Sequence, residues 1–113
     1  MYYYAMTNIL KNKQSKELFK TFLQLETVDE VGNFCRDLMT EAEIKEFASR
    51  WQVAKELNEG TSQRQVAQKT GSSIATVTRV NQWLQRGMGG YKLVLERLST
   101  TDHHYRPSSV GLH

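Results

Sequence analysis

Cysteine is almost missing from this chain: Cys35 stands alone among 113 residues. A single thiol excludes an internal disulfide framework and suits a reducing cytoplasm. Histidine is missing from the body of the chain, because His103, His104 and His113 all fall in the last eleven residues. A folded core is thereby left without a histidine base or a histidine metal ligand. Proline occurs once, at Pro107, and no segment alternates apolar and polar residues for long enough to read as a strand. No apolar run approaches the roughly 18–20 residues of a membrane span. The opening Met1-Tyr2-Tyr3-Tyr4-Ala5-Met6 is too polar for a signal peptide. Phosphate-binding glycine loops, metal clusters and nucleophile–base pairs are also lacking, which argues against an enzyme.

What remains is globular in composition, with 39% hydrophobic and 24% charged residues in 13.1 kDa. That is the size of one domain with a modest core. Its charge is unevenly placed. Residues 1–60 carry 8 basic and 10 acidic side chains, a net of −2, whereas residues 61–113 carry 7 and 2, a net of +5. Between Glu59 and Glu96 there is no acid, while Arg64, Lys69, Arg79, Arg86 and Lys92 all lie there. A merely solvated face usually mixes both signs, so a cationic stretch of this kind suits a polyanionic partner.

Spacing and caps predict an all-α chain of about six short helices. Leu18, Phe19, Phe22, Leu23 and Leu25 fit one apolar face after a lysine-rich lead. Thr27 with Glu30, Thr40 with Glu43 and Ser62 with Gln65 have capping-box spacing, each marking a helix start. The first box opens a helix with Val31, Phe34, Cys35 and Leu38 on one face, where Cys35 reads as a buried thiol. The second opens a longer helix with Ile44, Phe47, Ala48, Trp51, Ala54 and Leu57 inward, ended by Gly60. The third opens a helix of about two turns that Gly71 ends. A further helix from about Ser73 to Gln85 stops at Gly87, and a last one spans about Tyr91 to Leu98. Residues 16–98 are therefore expected as the helical domain, between a mobile head at 1–15 and a mobile tail at 99–113.

Two short helices parted by one glycine, from Gln63 to about Leu84, have the punctuation of a DNA-binding helix-turn-helix. Val66 and Ala67 line the inside of the first helix, and Ile74, Val77, Val80 and Leu84 pack the second one down. At about 100° per residue, Ala75, Thr78 and Gln82 share the side that would enter a major groove. Thr76, Arg79 and Trp83 fall on a third side. Small and hydroxylated groove residues suit close approach, thymine-methyl contact and water-mediated hydrogen bonds. Arg64 and Lys69 are placed to neutralise phosphates, and Arg64 also to reach a guanine edge. With Ser72 and Ser73 at the turn, the expected DNA-binding set is Arg64, Lys69, Ser72, Ser73, Ile74, Ala75, Thr76, Thr78, Arg79 and Gln82.

From Leu38 to Leu98 the chain resembles the Trp repressor family. The resemblance is carried by Leu38-Met39-Thr40, Ser49-Arg50, Glu56-Leu57 with Gly60, Ser62-Gln63-Arg64 and, most specifically, Ile74-Ala75-Thr76-Val77-Thr78-Arg79. It implies an all-helical, intertwined homodimer that binds a palindromic operator in double-stranded DNA. It also implies base or near-base contacts by Arg64, Ile74, Ala75 and Thr78, and a phosphate contact by Thr76. Thr40, Arg50 and Arg79 would line a slot for L-tryptophan, the family's corepressor. Two departures add bulk beside that slot: Val80 stands where the repressors have a glycine, and Trp83 where a serine meets the ligand's amino group. L-tryptophan is therefore not expected as a strong corepressor, and no cofactor is assigned. The expected function is a cytoplasmic, dimeric transcriptional regulator. The alternatives are a DNA-binding module without a switch, like the related domain of bacterial replication initiators, or a helix pair used for protein docking.

Overall fold

Local hydrogen bonds set the helix starts. The computed structural model describes residues 8–105, with side chains as far as residue 101, and is all-helical over that range. After a helical turn at residues 8–11 come α1 (Lys13–Phe22), α2 (Val28–Leu38), α3 (Glu41–Asn58), α4 (Gln63–Thr70), α5 (Ile74–Arg86) and α6 (Gly90–Tyr105). The Thr40–Glu43 box closes in both directions: Glu43 N–H donates to Thr40 Oγ1 at 3.1 Å, and Thr40 N–H to Glu43 Oε1 at 2.9 Å. At Thr27 the return bond slips by one residue, and Glu30 accepts from Glu26 N–H instead. Asn12, Ser62 and Ser73 also cap helices, each accepting from the N–H three residues on. Gly71, with φ of 75°, ends α4 in the left-handed region that only glycine enters without strain.

Helix ends differ from expectation at both extremities. α1 starts at Lys13, ahead of Lys16, and it stops at Phe22, so Leu23 and Leu25 fall beyond the helix. α6 continues past Leu98 to Tyr105, because Ser99, Thr100 and Thr101 do not break a helix that is already propagating. The mobility expected of residues 1–7 and 106–113 lies outside the described residues.

The chain divides into two compact units, one ending at Glu46 and the other beginning at Phe47, with α3 contributing to both. In the first unit the Phe22 and Phe34 rings meet edge-on, centroids 5.5 Å apart, and tie α1 to α2. No residue of α1 or α2 is buried, and Cys35 is half-buried rather than enclosed. The second unit holds the core. Val53 and Ala54 of α3, Val66 of α4, and Val77 and Val80 of α5 are fully enclosed, with Leu57, Ala67, Trp83 and Tyr91 packed around them. Leu84 completes the inward side of α5 at 3% exposure.

The inward face of α3 is thus Val53, Ala54 and Leu57, not the full expected stripe. Phe47 is 44% exposed, and Ala48 is exposed too. Helical geometry explains the difference. At about 100° per residue, Val53, Ala54 and Leu57 lie on one side of α3, while Ile44, Phe47, Ala48 and Trp51 centre roughly 120° away. Arg50 shares the phase of Val53, Ala54 and Leu57, which brings this cation against the second unit's core.

Candidate nucleic-acid interface

The α4–turn–α5 pair is built from the inside outward. Val66 on α4 is enclosed in one cluster with Val77 and Val80 on α5, and close packing of these β-branched side chains constrains how the two short helices cross. Ser72 in the turn is half-buried within a hydroxyl cluster. Its Oγ lies 3.0 Å from Ser49 Oγ of α3 and 3.0 Å from Thr70 Oγ1, and Thr70 donates to the Val66 carbonyl at 2.7 Å. The turn is thereby fastened to α3 by a side chain that sequence reading placed against DNA. Ser73 is the α5 cap, its Oγ accepting from Thr76 N–H and donating to Thr76 Oγ1, both at 3.1 Å.

With Val77, Val80 and Leu84 turned inward, Ala75, Thr78, Arg79 and Gln82 are exposed along α5, and Thr76 is half-buried. Ile74, expected both to pack α5 down and to approach bases, is 53% exposed and outside the core. Its position at the helix start, ahead of the first buried turn, leaves nothing to cover it. Arg64 is exposed at the second residue of α4.

One residue of this surface escaped sequence reading. Thr78 Oγ1 donates to Gln63 Oε1 at 3.1 Å, joining the outer side of α5 to the first residue of α4. Angular sorting within α5 has no means of finding Gln63, which belongs to another helix. Its sequence signals are its place at the start of the helix pair and within the Ser62-Gln63-Arg64 run.

Lys69 has a different attachment from the one expected. Its Nζ lies 2.9 Å from Glu56 Oε1, and the carboxylate is largely enclosed, at 15% side-chain exposure. The hydrogen bond from Lys69 is the largest influence holding the Glu56 carboxyl below its usual 4.5, and the same bond raises the Lys69 ammonium above 10.5. Thr61 Oγ1 adds a longer bond to Glu56 Oε1. Lys69 therefore ties α4 to α3 through an ion pair while 58% of its own side chain stays exposed. Arg79, Arg86 and Lys92 are exposed in the acid-free stretch.

A profile for the Trp repressor protein family matches residues 13–99. The chain belongs to the Trp repressor family. Among solved structures it is similar to a TrpR-like protein from Eubacterium eligens ATCC 27750, with 41% identity and a TM-score of 0.77 over 81% of this chain and 95% of that one. A candidate Trp repressor from Staphylococcus aureus matches at 37% identity and a TM-score of 0.75, over 80% and 90% of the two chains. YerC of Bacillus subtilis (strain 168), an uncharacterized protein, is 36% identical over 93 residues, 82% of this chain and 89% of its own length. The match reaches back to residue 13 and so takes in α1 and α2, which the motif-based resemblance did not cover.

Two of the residues that the resemblance assigns to an L-tryptophan slot, Thr40 and Arg50, already have partners within the chain. Arg50 is half-buried, with its guanidinium carbon 5.4 Å from the Phe47 ring centroid and 5.6 Å from that of Trp83. An arginine that would receive a ligand's indole thus already faces two rings of its own chain. Arg79 is exposed, and the Thr40 hydroxyl caps α3. Val80 does not crowd the slot as expected. Its side chain is wholly within the core and adds bulk inward, so the crowding beside Arg50 comes from Trp83. Among the described residues no group of side chains could hold a metal ion, and no helix is long and apolar enough to cross a membrane. The side chains of His103 and His104 lie outside the described residues.

Proposed function

We propose that this protein is a sequence-specific DNA-binding transcriptional regulator that works in the cytoplasm as a homodimer on a palindromic operator. The observation that carries the reading is the α4–α5 pair. Its inward residues are enclosed, while Ile74, Ala75, Thr78 and Gln82 stand exposed on a single rigid helix beside Arg64. A surface of small, hydroxyl and amide groups next to arginines can lie close to base edges and still be held by phosphates. In this reading Arg64, Thr76, Thr78, Arg79 and Gln82 contact DNA, while Ser72, Ser73 and Lys69 keep the reading helix in place.

The homodimer rests on apolar side chains that one chain leaves uncovered. Leu18, Phe19 and Phe22 on α1, Val31 and Leu38 on α2, and Leu93, Val94 and Leu98 on α6 are all exposed. Apolar area on this scale suits association with a second copy. A two-fold dimer requires two half-sites about one helical turn, roughly 34–36 Å, apart. No cofactor or metal enters this reading, and L-tryptophan is disfavoured by the crowding at Arg50.

Selection of bound sequences from random duplex DNA tests binding and symmetry together. An inverted repeat with one-turn spacing, bound with a steep salt dependence, is the expected outcome. Failure to retain any duplex at low salt would favour protein docking, and a well-folded monomer in light scattering at micromolar concentration would refute the dimer.

A further inference from the structure

Arg50 and Trp51 are successive residues of α3, and each is held by an aromatic ring from a later helix. The Trp51 ring stacks on Tyr91 of α6, centroids 6.2 Å apart and planes 26° from parallel. The Arg50 guanidinium lies over Trp83 of α5 at 5.6 Å, within the roughly 6 Å over which a cation is drawn to a ring face. Trp83 also packs on the valine core, so the indole has an apolar support and a cationic neighbour at once. It is carried by the same helix as Ala75, Thr78 and Gln82. Because α5 is one unbroken helix, whatever fixes Trp83 also fixes the rotation of that exposed side.

We propose that Trp83 acts as a built-in effector: its indole, resting on Arg50, holds α5 in the DNA-reading pose, and operator binding needs no L-tryptophan or other aromatic corepressor. The inference rests on the DNA-binding reading above and adds how that activity is controlled. A ring on the chain reaches Arg50 at an effective concentration of about millimolar or more, whatever the supply of free ligand. A free indole would have to displace Trp83 from both Arg50 and the core. The protein is therefore expected to bind its operator whether or not a free aromatic corepressor is present.

The test uses the full chain, the duplex recovered by selection, and fluorescence anisotropy with and without about millimolar L-tryptophan. Wild-type affinity is expected to change less than about twofold on adding the amino acid. Trp83→Ser and Arg50→Gln should each weaken operator binding by about threefold or more, and the double variant should be scarcely worse than either. Trp83→Phe, which keeps a ring for Arg50, should retain most of the affinity. Arg50→Gln leaves the Trp83 packing on the core intact, so the charge–ring contact is tested even where Trp83→Ser fails to fold. A wild-type affinity that rises about tenfold with L-tryptophan would overturn the proposal. So would a folded Arg50→Gln variant that binds as tightly as the wild type. Calorimetry reads the slot without DNA: absence of heat with L-tryptophan supports the occupied slot, and micromolar binding overturns it. A wild type that retains no duplex under any condition removes the DNA-binding reading itself, whereas loss of the coupling alone removes only the built-in effector.

Discussion

Thr78→Val separates reading DNA from holding the fold. Valine keeps the branched shape and a similar helix preference, so the substitution removes the hydroxyl and little else. In the free protein that hydroxyl makes one hydrogen bond, 3.1 Å to Gln63 Oε1, on an exposed side of α5. Water can replace the lost partner, so stability should fall by no more than about 0.5–1 kcal/mol. Bound to its operator, the same variant loses a group that either meets a base edge or aims the Gln63 amide at one. A lost base contact costs about 1–3 kcal/mol, or about 5- to 150-fold in affinity. No charge changes, so non-specific affinity and its salt dependence should be unaltered. Anisotropy with the selected duplex and a scrambled one, at two salt concentrations, gives the comparison, and urea unfolding gives the stability. Gln63→Ala should reproduce much of the loss, and the double variant should fall short of the sum, because the two side chains act as a pair. Equal weakening on both duplexes, or a stability loss above about 2 kcal/mol with operator binding unchanged, would refute the reasoning.

Three other outcomes are expected from single sites. Lys69→Met should flatten the acid limb of the pH–stability curve. The depressed Glu56 carboxyl contributes stability that is present above its unfolded value near 4.5 and is lost as pH falls through the lower folded value; thermal melts between neutral and acid pH follow it. Gly71→Ala meets open space but must hold φ of 75°, so it should cost about 1–2 kcal/mol in urea unfolding from backbone strain alone. Val77→Ala empties a fully enclosed site where α4 crosses α5 and should cost about 2–3 kcal/mol, measured by the same unfolding assay, with operator affinity falling as the crossing loosens.

Helix boundaries and the inward residues of α4 and α5 could be read from sequence because both are local. A cap at Thr40, Ser62 or Gly71 depends on hydrogen bonds within about one turn. The Val77, Val80 and Leu84 stripe depends only on the pitch of one short helix. The same locality made the family recognisable, since its most specific run, Ile74 to Arg79, lies within one of those helices. Other properties came from relations between helices. Periodicity gives α3 two apolar stripes, and only the presence of α4 and α5 decides that Val53 and Ala54 are enclosed while Phe47 is not. Sequence offers Lys69 as a phosphate contact, and only the fold shows that it also pairs with Glu56, thirteen residues earlier and 2.9 Å away. Gln63 joins the exposed side of α5 through Thr78, fifteen residues later, and Arg50 finds one of its two aromatic partners on α5. Each of these pairs spans a turn between helices, where sequence distance carries no information about separation in space. Packing of the valine core sets the crossing angles, and the crossing angles decide which side chains meet.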